Sequence, residues 1–206
     1  MGFNMSKSRS FYIVWQCVVW LLVLSAAVFA QNERTVKGRV LTSQGAPAIR
    51  LKFGKKFKFA GAQDFVLYDR ARAAQFFFVE SRGKKIERLY LIQFEGFLPD
   101  REGTYNYNEP RTVEIDGSKY FSNAEAIPDT EAALRAVPDS DIAKAAKFLR
   151  EKGFELMKSL RFQRFVRVVD DARRSEFIIL YVEDAALGLP EDALEKRARA
   201  DFKILR

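Results

Sequence analysis

The sequence predicts an α+β fold: a curved antiparallel sheet with late helices and a C-terminal helix packed on it. Three observations carry that expectation. Apolar–polar alternation with period two dominates residues 51–121. Helical spacing enters only at residues 129–152 and again at 190–205. No Pro/Gly/Ser-rich stretch is long enough to separate two domains within the 206 residues. Strands first and helices late argue for helices gathered on one side of a sheet, with a closed barrel as the less favoured alternative.

Residues 1–30 read as a secretory signal peptide, and residues 31–206 as a single α+β domain. Lys7 and Arg9 give a positive start without an acid, residues 11–24 carry no charge, and residues 25–30 are small-residue rich, with Val28 and Ala30 at the −3 and −1 positions of a cleavage site. The expected location is therefore secreted or periplasmic. The alternative is an anchor that stays uncleaved, since about twenty apolar residues suffice to cross a bilayer. Cys17, in the middle of the apolar run after Val14, Trp15 and Gln16, lacks the small neighbours of a lipid-attachment cysteine.

Leu51, Phe53, Phe57 and Phe59 share one parity and Lys52, Lys56 and Lys58 the other, which reads as a half-buried strand with a basic wet face. Residues 65–68, 74–81 and 86–97 continue as strands, with a Ser81–Lys85 turn between the last two. Phe76, Phe77, Phe78 and Val79 put bulk on both faces, as a central or doubly covered strand requires. After the polar loop at 99–103, short strands are expected at 104–108, 112–115 and 119–121. Asp116-Gly117 supplies the tight hairpin between the last two.

Residues 129–136 form a short helix stopped before Pro138. A clearer one starts from an Asp139 or Ser140 cap and runs to Lys152, with Ile142, Ala145, Ala146 and Leu149 on one face and Gly153 just past its end. Residues 160–169 and 176–183 form the last strand pair, the second apolar on both parities. Pro190 starts the closing helix, whose Leu194, Ala198, Phe202 and Leu205 form a docking stripe. A leader, many strands and a late helix also resemble a lipocalin, but that family's Gly-x-Trp is absent. Both tryptophans, Trp15 and Trp20, fall in the leader.

Composition excludes much chemistry. The chain has no histidine, and its one cysteine, Cys17, lies in the leader. A mature chain would have no disulfide, no thiol nucleophile and no His-based triad, and would lack the usual zinc, copper and haem ligands. No metal and no cofactor is expected. The formal net charge of +8 includes Lys7 and Arg9. The excess left after cleavage suits either plain solubility or an anionic envelope surface as partner. Export disfavours nucleic acid as a partner, and the isolated glycines form no phosphate loop.

Two arginines are anomalous. Arg88 shares the apolar parity of its strand with Ile86, Tyr90, Ile92 and Phe94, and Arg164 shares that of Leu160, Phe162, Val166 and Val168. A guanidinium on an inward face needs an internal carboxylate, such as Glu95, Glu114 or Glu183, or an anionic ligand that fits its planar fork. Arg88, Tyr90, Arg164 and Phe162 are therefore the candidate ligand-binding residues, with Phe76 and Phe78 as further walls. The lysines 52, 56 and 58, joined by 55, 84 and 85, make a second candidate patch or a solvated strand face. Tyr105 and Tyr107 suit stacking on a flat ligand or rim packing. Glu183-Asp184 and Asp170-Asp171 are the acid pairs at strand ends, and no residue stands out as catalytic. The expected function is an exported, non-catalytic binding module for a small acidic amphiphile held between sheet and helices. The alternatives are a carboxylate-based hydrolase of envelope or extracellular carbohydrate, or a structural interaction protein of the envelope.

Overall fold

The computed structural model describes residues 33–108 and 111–205. The leader expected at 1–30 lies outside the described residues.

Among the described residues, eleven strands, all paired antiparallel, form two sheets. The larger has seven strands in the order β4 (Lys58–Leu67), β5 (Ala71–Arg82), β6 (Lys85–Phe97), β10 (Ser175–Asp184), β9 (Leu160–Val168), β8 (Ser118–Ile127) and β7 (Thr112–Ile115). The smaller has four: β1 (Arg34–Lys37), β2 (Val40–Ser43), β3 (Ile49–Phe53) and β11 (Phe202–Ile204). The helices are α1 (Thr130–Ala136), α2 (Asp141–Glu151) and α3 (Leu194–Ala200).

The doubly apolar segments take the centre, as their pattern predicts. On β5, residues 73–79 are all buried, and so is β10 from Glu176 to Asp184. Only a strand covered on both faces can bury consecutive apolar residues. One cover is the small sheet together with α3: Leu51, Phe53, Leu194, Ala198 and Phe202 pack on Phe78, Tyr90, Phe177 and Tyr181. The other is the α1–α2 pair, whose Ala145 and Leu149 join Phe77, Leu91, Ile178 and Leu180. The helices are thus divided between the two faces, not gathered on one, and the sheet is the middle of three layers.

Residues 51–59 form two strands in different sheets instead of one. Gly54 ends the first: its N–H donates to Asp201 O at 2.7 Å, and a Cβ there would meet Asp201 Oδ1 at 2.8 Å. Phe57 stays buried, while Phe59, beyond the turn, is exposed. Residues 104–108 form no strand and lie outside both sheets, with Tyr105 N–H donating to Arg173 O at 2.8 Å. The returning strand of the Asp116-Gly117 hairpin is longer than expected, reaching Ile127. The closing helix stops at Ala200, because Phe202–Ile204 gains sheet pairing with β3. Leu194, Ala198 and Phe202 are buried in the same core regardless.

Ser140 caps α2 as expected, its Oγ accepting from Ala143 N at 3.1 Å, and Asp129 caps α1 in the same way. Against β4, Gly61 sits at a bulge with φ +136, where a Cβ would come within 2.8 Å of the Phe148 ring. The absent side chain lets Phe148 stack on Phe77 at 4.7 Å and hold α2 against the sheet.

Candidate ligand-binding site

Strand register decides which side chains meet on the helix-facing side of the sheet. Across β6, β10, β9 and β8, one row reads Leu89, Val182, Phe162, Glu125, and the next reads Leu91, Leu180, Arg164, Asn123. A third begins with Gln93, Ile178 and Val166. All of these side chains except Leu89 and Val166 floor a cavity of about 550 Å³ between the sheet and the α1–α2 pair. Thr130, Ala133, Leu134 and Val137 wall it from α1 and its exit, and Ser140, Asp141 and Ile142 from the start of α2. Val137 and Ile142 are two of the five large hydrophobic side chains exposed among the described residues, so the mouth is apolar as well. A smaller space of about 80 Å³ continues beneath α2, adding Ile86, Leu149 and Met157.

The far end of the floor is polar. Gln63, Gln75 and Gln93 are aligned across β4, β5 and β6 and pass a hydrogen bond along the row, at 2.7 and 2.6 Å. Gln93 Nε2 then donates to Glu95 Oε2 at 2.6 Å and to Asp141 Oδ2 at 3.0 Å. Glu95 and Glu176 face each other directly across β6 and β10. Tyr105 OH donates to Glu95 Oε1 at 2.8 Å, and Tyr107 OH donates to Glu176. Burial lifts the Glu176 carboxyl to about 7; Glu95 and Asp141 push the same way, against the opposing pull of Tyr107 and Arg164. Burial raises Glu95 too, partly offset by the Tyr105 and Gln93 bonds, while Asp141 adds to the rise. Arg164 Nε donates to Asn123 Oδ1 at 2.8 Å, and its guanidinium lies 5.8 Å from the Tyr107 ring centre.

The four sequence candidates are split by the sheet. Phe162 and Arg164 come together on the cavity floor. Arg88 and Tyr90 lie on the opposite face, as do Phe76 and Phe78. The register joins even positions of β6 to odd positions of β10 and β9, so equal parity on β6 and β9 means opposite faces. Arg88 is an internal ion pair: it bridges Glu80 and Asp201, with Asp201 Oδ2 at 2.9 Å. Tyr90 OH donates to Ala198 O at 2.7 Å. Neither side chain reaches the cavity.

The other constellations disperse likewise. Glu183, fully buried, accepts from Arg197 at 2.6 and 2.9 Å, while Asp184 pairs with Lys85 at 2.8 Å on the other side. Asp170 accepts from Arg174 N in its loop. Lys56 pairs with Glu80, and Lys52 lies on the small sheet, away from Lys58 on β4. Tyr105 and Tyr107 pack on Phe97 and Phe121.

Asn123, Asp141, Glu176 and the glutamine row were not singled out from sequence. The available signal was a lone polar residue inside a doubly apolar run: Gln75 among Ala73–Val79, and Gln93 among Leu89–Phe94. Among the described residues, no cluster of His, Cys, Asp or Glu is arranged to hold a metal ion. No family model, no curated protein and no solved structure matches the chain.

Proposed function

We propose that this chain is an exported, non-catalytic binding module that holds a small amphiphile between the seven-stranded sheet and the α1–α2 pair. The observation that carries the reading is the cavity of about 550 Å³, apolar over most of its lining and polar at one end. That volume lies in the range of small-molecule sites, which combine apolar walls with a few converging polar groups. An alkyl chain over Leu91, Leu180 and Phe162 leaves water, while a head group beside Arg164 keeps its hydrogen bonds. Among the described lining residues Arg164 is the one cation, and Glu125 and Asp141 stand with it. This balance favours a singly charged acidic or zwitterionic head over a dianion, which would meet two carboxylates with a single counter-charge. The leader sequence supports export.

Calorimetric titration with decanoate and with decylamine tests the reading. Decanoate is expected to bind, and Arg164→Gln to weaken it about tenfold or more, the worth of a hydrogen bond to a charged group. Ala133→Trp, placed in the α1 wall, is expected to abolish binding with the circular dichroism unchanged. Absence of decanoate binding, or binding indifferent to both variants, removes the reading.

A second reading, a carboxylate-based hydrolase of envelope or extracellular carbohydrate, draws on the Glu95–Glu176 pair. Directly opposed residues on antiparallel strands have Cβ atoms about 5 Å apart. One carboxyl held protonated near neutrality beside another is the division of roles that retaining glycosidases use. Hydrolysis of an oligosaccharide panel that disappears in both Glu95→Gln and Glu176→Gln would favour it; no hydrolysis by the parent protein ends it.

A further inference from the structure

The outer face of the small sheet, remote from the cavity, carries cations and no acid. Alternation on β1, β2, β3 and β11 sends Leu41, Leu51, Phe53 and Phe202 inward, and the opposite parity out to solvent. The register fixes the outward rows. Lys37 pairs with Val40, Val40 with Lys52, and Lys52 with Lys203, so three lysines lie on one line across all four strands. The adjacent row is Thr35, Thr42 and Arg50.

Lys37, Arg50, Lys52 and Lys203 are all exposed, and none of their side chains makes a hydrogen bond or ion pair with a described residue. Several arginines elsewhere are paired: Arg88 with Glu80 and Asp201, Arg197 with Glu183, Arg111 with Glu195. Here Lys52 and Lys203 stand directly opposite each other, an arrangement that costs stability without an intervening anion.

We infer that this face is a docking surface for an anionic lipid bilayer. The four-strand row spans about 14 Å at the usual strand spacing, with Arg50 about 7 Å along β3 from Lys52. The cations therefore cover an area rather than a line, and they match a plane of phosphates better than a single strand of polyanion. The exposed large hydrophobics, Phe59, Val66, Tyr68, Val137 and Ile142, all lie off this face. Its described residues thus offer no ring on which a base would stack and no wedge to enter hydrocarbon. What remains is electrostatic adsorption, which clusters of about four or more basic residues provide on anionic membranes. The interior-facing cavity and this face lie on opposite sides of the large sheet, so either can fail without the other.

Co-sedimentation with vesicles tests the inference, using the full chain and two compositions: phosphatidylcholine alone, and equal parts phosphatidylglycerol and phosphatidylcholine. The neutral vesicles supply the baseline for any contribution of the N-terminal apolar segment. Binding to the anionic vesicles is expected to exceed that baseline and to vanish as salt rises from about 0.05 M to about 0.5 M. Lys52→Gln/Lys203→Gln should weaken it about 30-fold, at the usual worth of a lysine near an anionic surface. A second pair, Lys37→Gln/Arg50→Gln, should do likewise. The charge-matched control Lys147→Gln/Lys158→Gln should change it less than threefold, about the limit at which net charge alone acts. Equal losses in the control, no preference for anionic vesicles, or binding to soluble heparin without binding to vesicles would each overturn the inference.

Discussion

The two faces of the seven-stranded sheet are covered in contrasting ways. On the small-sheet side, large rings interlock: Phe53 stacks on Phe78 at 3.9 Å, and Tyr90 contacts Phe57 at 4.8 Å and Tyr181 at 5.1 Å. The cover there is itself a hydrogen-bonded sheet that delivers Phe53 and Phe202 as fixed knobs. On the helix side the floor is equally apolar, but the cover is two helices of seven and eleven residues. Their inner positions mix large and small residues: Ala133, Ala145 and Ala146 stand between Leu134, Ile142 and Leu149, and at those three places the cover has too little volume to fill the space above Leu91 and Leu180. Packed rings therefore make one face a structural core, and small side chains leave the other a container. Protein interiors close-pack where the sequence supplies the volume, so the unfilled apolar layer is the place where the proposed ligand would be accommodated.

The sharpest way to break this comparison is to delete one large side chain from each face. Phe78→Ala removes a fully buried, stacked ring. It should cost about 3–5 kcal/mol in urea unfolding, because transfer and new-cavity contributions add. Leu180→Ala, 8 % exposed and already bordering the cavity, should cost about 2 kcal/mol, the low end for such a deletion, since its space opens into one that exists. Equal costs would mean that the helix side is packed as tightly as the sheet side.

A second difference is electrostatic. The small-sheet side neutralises its buried carboxylate, Glu183, with Arg197, whereas the helix side faces Glu176 toward Glu95 and near Asp141, with the carboxyl held at about 7. A carboxyl raised from 4.5 binds its proton more tightly folded than unfolded. Its contribution is therefore complete below about pH 4.5 and is lost as pH rises through about 7. The loss is on the order of 3 kcal/mol between those limits. Glu176→Gln should flatten that slope, leaving the variant more stable than the parent at pH 8 and close to it at pH 4. A parent curve flat from pH 4 to 8 would show that Glu176 ionises as easily folded as unfolded.

Much of the fold was legible in the sequence because period and burial are coupled along one strand. Residues 76–79 and 177–182 had to lie between two covers, and Ser140 had to cap a helix. What was not legible is what depends on register between strands. Arg88 and Arg164 have the same look within their own strands, yet pairing β6 with β10 and β10 with β9 sends them to opposite faces. The second sheet was hidden for a related reason. Leu51 to Phe59 keeps its alternation through the Gly54 turn, and nothing local reports that Asp201, about 150 residues later, fills the space beside that glycine. The cavity depends on the difference between floor and cover volumes, which belongs to no single segment. Part of the proposed site was visible, Arg164 as an anomaly and Phe162 beside it; its acids, Glu125 and Asp141, read as ordinary polar residues near element ends.

The smallest expected effect isolates the cover from the sheet beneath it. Ser140 Oγ accepts from Ala143 N at the first turn of α2, at the edge of the cavity. Ser140→Ala leaves that amide without its acceptor and should cost about 1 kcal/mol. If the α1–α2 cover opens as a unit of its own, the cost falls on its local opening alone. Amide hydrogen exchange in α2 should then speed up about fivefold. Amides of β5, β6 and β10, which exchange only when both layers are lost, should change only as far as global stability does. Exchange should slow again on adding decanoate, because the ligand bridges cover and floor. Uniform acceleration in α2 and the central strands, with no protection by decanoate, would mean that the two faces open together and that the helix layer is no independent lid on the cavity.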